Sequence, residues 1–169
     1  MTTVIIYLGG GKYRVKTDLD WSIMPSNRKV DVLSTAVKDS DWYTDGGEYG
    51  RQTWTIDDPF TGKETDHANY TSASNKWERQ SNAYGVAMNL KNDEYTGRYN
   101  RRVERLDLYM YYTVTPRNSP SRIDAFGDYA HQETSISVTP SISWSGVSLS
   151  VSPSSKFTYQ SNTQASLSF

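Results

Sequence analysis

The chain has 169 residues, 18 Lys+Arg against 19 Asp+Glu, a formal net charge of −1, no cysteine, and an aromatic set of 5 Trp, 13 Tyr and 4 Phe. Near-neutrality removes any global attraction to nucleic acid or to an anionic membrane. No apolar run approaches the roughly 20 residues of a membrane-spanning helix, and without cysteine there is no disulfide scaffold, thiolate metal site or cysteine nucleophile. What remains is one polar, tyrosine-rich domain, because halving so short a chain would leave two cores of marginal size.

At the amino end, residues 4–8 are apolar and read as a strand; Gly9, Gly10 and Gly11 then turn the chain into a second strand around residues 13–15. The glycines do not make a phosphate loop, since Lys12 follows at once and the next residues alternate as a strand rather than opening a helix. Residues 28–38 are a helix candidate capped by Asn27, although Val30, Val32 and Val37 also suit a strand. Asn, Asp, Gly and Pro are dense between residues 39 and 82, which reads as long loops around one short strand at Trp54 and Ile56.

Beyond that, alternation returns. In residues 84–90, Tyr84, Val86, Met88 and Leu90 share one face. The longest case is residues 103–115: Leu106, Leu108, Met110, Tyr112 and Val114 line one side, and Arg105, Asp107, Tyr109, Tyr111 and Thr113 the other. That is a core strand with a wet outer face. Residues 122–131 form a second helix candidate.

From Gln132 to the end only Glu133 and Lys156 carry charge, and Ser alternates with Ile136, Val138, Ile142, Trp144, Val147, Leu149 and Val151. Three short strands are expected, with Pro140 and Pro153 at their ends and a hairpin turn at Ser145-Gly146. A last strand runs through Phe157 and Tyr159 and resumes at Leu167 and Phe169. The whole pattern predicts one all-β domain over residues 1–169, an antiparallel β-sandwich with long loops and at most one or two short helices.

Chemistry-bearing residues are sparse. Asp39, Asp41, Asp45 and Glu48 form an acidic loop able to offer oxygens to calcium, the one cofactor the sequence suggests. The helix-loop-helix calcium pattern fails, because Thr44 stands where its glycine belongs and Gly50 where its bidentate Glu belongs. The two histidines, His67 and His131, match no nucleophile, zinc or deaminase spacing and read as structural or surface groups. Arg98, Arg101, Arg102 and Arg105, interleaved with Tyr95 and Tyr99, make a basic patch. Asp93, Glu94, Glu104 and Asp107 flank it, so ion pairs are expected there and nucleic acid is not.

Aromatics in the polar loops carry the functional expectation. Trp21, Trp42, Tyr43 and Tyr49 sit among Asp, Asn, Gln and Gly, a combination that stacks on sugar rings and bonds hydroxyls; Trp54 and Trp144, in alternating strands, are assigned to the core. The expected role is non-catalytic binding to a cell-surface glycan or protein. Export is expected from the Ser/Thr/Asn/Tyr-rich, cysteine-free composition, although no basic segment followed by an apolar stretch opens the chain. Two further readings stand beside it. The serine-alternating region resembles the amphipathic hairpin of a membrane pore, and a pair of Asp/Glu carboxylates would serve a hydrolase.

Overall fold

A computed structural model describes residues 1–21, 23–38, 40–134 and 140–169. It is all-β, several antiparallel sheets packed together, and its helical content among the described residues is one 3-10 turn, Ser154–Lys156.

The first sheet runs in the order β1 (Thr2–Gly9), β2 (Lys12–Asp20), β10 (Asn100–Pro116), β5 (Tyr49–Asp58) and β6 (Gly62–Thr71). Two short strands, β4 (Trp42–Thr44) and β9 (Glu94–Tyr95), extend it at opposite ends of β10. The three-glycine turn holds Gly9, Gly10 and Gly11 at φ 91, 58 and 76, a left-handed run open only to residues without a Cβ penalty.

The second sheet is ordered β14 (Phe157–Tyr159), β11 (Arg122–Gln132), β3 (Val30–Val37), β8 (Ala83–Asn89) and β7 (Trp77–Arg79), with β15 (Thr163–Ser168) also on β11. The principal core lies between the two sheets. Leu106, Leu108, Met110, Tyr112 and Val114 of β10 meet Leu33 and Val37 of β3, Val86 and Met88 of β8, and Ile123 and Tyr129 of β11. Two hydrogen bonds cross it: the Tyr112 hydroxyl donates to Thr35 O at 2.8 Å, and Thr17 and Thr35 hydroxyls meet at 2.7 Å.

The other face of the second sheet is covered by a hairpin, β12 (Ser141–Ser145) and β13 (Ser148–Ser152). A smaller core of Ile142, Leu149 and Val151 against Val32, Ala87, Ala130 and Phe157 fills that junction.

Alternation located β2, β8, β10, β12, β13 and β14, a short apolar run located β1, and the strands expected at Trp54 and Ile56 and towards Leu167 are β5 and β15. Both helix candidates are strands instead: residues 28–38 supply β3 and residues 122–131 supply β11. These are central strands, packed by the main core on one face and by the β12–β13 hairpin on the other, so every residue from Asp31 to Val37 is buried and no period of 2 survives there. The described residues between 40 and 82 hold four strands, not one. β6 escapes a sequence reading because it is an exposed edge strand on which only Tyr70 is buried. The hairpin turn lies one residue later than expected, at Gly146-Val147, with Gly146 at φ 64. The expected strand through Ile136 and Val138 falls outside the described residues.

Candidate functional site

The outer face of the first sheet is built by the same alternation that fills the core. With Val15, Thr17, Met110, Tyr112, Gly50 and Gln52 turned inward, Arg14 and Lys16 of β2, Tyr109 and Tyr111 of β10, and Tyr49 and Arg51 of β5 must turn outward. The register places Tyr111 between Lys16 and Tyr49, and Tyr109 between Asp18 and Arg51. The three rings form a patch: Tyr49–Tyr111 centroids are 5.6 Å apart, Tyr49–Tyr109 6.1 Å, and Tyr109–Tyr111 6.3 Å and nearly parallel at 7°.

Cations lie on the rings. The Arg14 guanidinium sits 4.2 Å from the Tyr111 centroid and Lys16 Nζ 4.8 Å from that of Tyr109. Lys16 is held by Asp18 at 2.5 Å, whereas Arg14 and Arg51 have no carboxylate partner among the described residues. Asn69 organises the far side, its Oδ1 accepting from the Tyr49 hydroxyl at 2.5 Å and from Arg51 Nε at 3.1 Å. Burial and the neighbouring phenols hold Tyr109 above its ordinary pKa, which keeps its hydroxyl protonated.

A second cluster lies at the far end of the core. Asp31, fully buried, accepts from the Tyr129 hydroxyl, from His131 Nδ1 at 2.8 Å and from the Gln132 amide at 3.3 Å. Burial raises Asp31 more than these donors lower it. Burial pulls His131 down, but the bond and charge of Asp31, helped by Glu133, outweigh it and leave the imidazole above its ordinary value.

The residues expected to bind ligand are not brought together. Trp42 is a core residue, 1% exposed, with its indole N–H on Arg122 O at 3.2 Å. Trp21 is half-buried against Tyr129 and His131, Tyr43 stands exposed on β4, and Tyr49 belongs to the tyrosine patch. Trp54 and Trp144 pack against the two cores as expected.

The acidic loop is dispersed among cations. Asp45 takes Lys12 at 2.7 Å and Thr115 at 3.0 Å, Glu48 takes Arg79 at 2.7 Å, and Asp41 faces Lys38 at 3.7 Å. Asp39 lies outside the described residues. No three His, Asp or Glu side chains converge among the described residues, so these residues offer calcium no shared cage. In the arginine cluster, Arg101 is gripped by Asp58, Glu64 and Glu94, and Arg105 by Asp107 at 2.8 Å. His67 is exposed on β6.

Sequence reasoning placed Tyr109 and Tyr111 on a wet face but missed their neighbours Arg14, Arg51 and Asn69. The available signal was the alternation of β2 and β5; what was missing was which strands flank β10.

No family model matches the chain, and no curated protein matches it. A solved structure described as a pore forming protein aligns over 97% of this chain and 73% of its own at 6% identity and a TM-score of 0.34, a likeness too loose to bear on fold or function.

Proposed function

We propose that the protein is a non-catalytic binding protein, acting outside the cell, whose first-sheet face holds an acidic glycan. The observation that carries this reading is the pair of guanidinium groups without carboxylate partners among the described residues, Arg14 and Arg51, flanking the Tyr49–Tyr109–Tyr111 patch. A guanidinium fork matches sulfate and carboxylate geometry, phenol hydroxyls bond sugar hydroxyls, and the sheet holds all of them without a loop having to order. Titration with a sulfated polysaccharide, with neutral dextran as control, tests it. Binding of the sulfated chain alone, lost in an Arg14→Ala/Arg51→Ala variant that melts normally, is expected; equal binding by that variant, or none by the parent, overturns the reading.

A second reading concerns the membrane and rests on the β12–β13 hairpin. Its outward positions are all serine and its inward positions Ile142, Trp144, Leu149 and Val151, without a charge. The junction is poorly matched: among the described residues Ser34 Oγ of the floor and Trp144 Nε1 of the hairpin are buried without hydrogen bonds, which weakens docking. Such a hairpin suits transfer to lipid, its apolar face outward and its serines toward water. Dye release from liposomes supports this reading, and intact liposomes at all pH values and lipid compositions tried remove it.

A further inference from the structure

Beside His131 the surface opens into a cavity of about 330 Å³, walled by Trp21, His131, Glu133, Thr158 and Gln160. It lies apart from the tyrosine patch, where the end of β11 pairs with β14, His131 opposite Thr158. Each wall is held from behind. Trp21 packs near-perpendicular to Tyr129 and His131, with centroids 5.7 and 5.3 Å away. His131 is fixed by Asp31 through Nδ1, which leaves Nε2 as the nitrogen free to meet a ligand. The backbone of Glu133 is tied on both sides, its amide to Lys156 O at 2.9 Å and its carbonyl to Asn27 Nδ2 at 2.7 Å.

The charges around this cavity do not cancel. Asp31 and His131 compensate each other as a bonded pair, while the Glu133 carboxylate forms no ion pair among the described residues and acts on His131 through its charge alone. An unneutralised carboxylate beside an immobilised indole is the combination that attracts a cation with an apolar body: the carboxylate supplies Coulomb attraction and the indole its quadrupole. An anion would meet Glu133, and a neutral sugar would leave its charge unanswered. We infer that this cavity is a binding site for a small organic cation of the alkylammonium class, seated on Trp21 and Glu133 with Thr158 and Gln160 bonding any hydroxyl it carries.

The test is titration of the full chain with tetramethylammonium, followed by tryptophan fluorescence and calorimetry, with tert-butanol as an uncharged ligand of similar shape. Saturable binding of the cation and none of the alcohol is expected. Glu133→Gln, an exposed change that leaves the fold intact, should weaken it roughly tenfold or more, Glu133→Asp should retain part of it, and Trp21→Phe should weaken it several-fold. The Arg14→Ala/Arg51→Ala variant should bind the cation normally, which separates this site from the glycan face. Failure to saturate, equal uptake of tert-butanol, or full affinity in Glu133→Gln overturns the inference.

Discussion

Gly127 shows how tightly single positions are specified. It faces the first sheet from β11, and a Cβ there would stand 2.5 Å from Thr17 Oγ1 and 2.9 Å from Thr17 Cγ2, with Thr3 Oγ1 nearer still. Gly127→Ala therefore forces the sheets apart and is expected to cost about 1–3 kcal/mol, read as a lowered melting temperature. Asp31 of β3, facing the far end of β11, has no access to solvent, and its removal leaves Tyr129 and His131 without their acceptor. Asp31→Ala is expected to destabilise by about 2–4 kcal/mol in denaturant titration. The same pair sets a pH dependence. Because the folded chain holds the His131 proton more tightly than the unfolded chain, whose imidazole titrates near 6.5, this stabilisation is complete below that pH and is lost as pH rises through the raised folded value. Burial raises Asp31 in the same sense. Melting curves of the parent should fall across this window, and those of His131→Gln should be flatter; an unchanged slope would show that the pair does not carry the effect.

At the scale of elements, β10 organises the molecule. It pairs with β2, β4, β5 and β9, and sends Leu106, Met110 and Tyr112 into the core with no exposed surface. Met110→Ala should therefore cost about 2–5 kcal/mol, whereas Tyr109→Ala, one residue away on the outer face, should cost far less and act on glycan binding instead. The β12–β13 hairpin is the opposite case, docked on a small apolar patch and held by few polar ties. Asn82 Nδ2 reaches Gly146 O at 3.1 Å, and the Tyr159 hydroxyl brackets Val151, accepting from its amide at 2.8 Å and donating to its carbonyl at 3.1 Å. Asn82→Ala should raise hydrogen exchange in residues 141–152 well above that of β10, while global stability falls by only about 1 kcal/mol. These elements also show what was legible in advance. β10 could be read because one face is wet and one dry, and the hairpin because serine alternates with apolar side chains. β3 and β11 could not, being dry on both faces, nor β6, being wet on nearly all of its length; in each the contrast that reveals a strand is absent.

Across the whole molecule, a net charge of −1 hides a segregated surface. Arg101 is held by Asp58, Glu64 and Glu94, while Arg14 and Arg51, on the outer face of the same sheet, have no carboxylate partner among the described residues. Affinity for a sulfated chain should accordingly fall steeply with added salt, as screening shortens the reach of those two charges to about 8 Å at physiological ionic strength; a salt-independent affinity would place the contact elsewhere. The sequence by itself determined the class of this fold and the facing of its best strand, since alternation and turn glycines act locally and need no knowledge of neighbours. It equally determined the uncharged, serine-faced character of the carboxyl-terminal hairpin. Only the tertiary structure decided which residues meet. Trp42 went to the core, the acidic loop was divided among Lys12, Arg79 and Lys38, and Tyr49 joined two tyrosines some 60 positions away (Tyr109 and Tyr111). The reason is that strand order and register are settled by the burial of whole faces at once, a property of pairs of sheets that no single segment encodes.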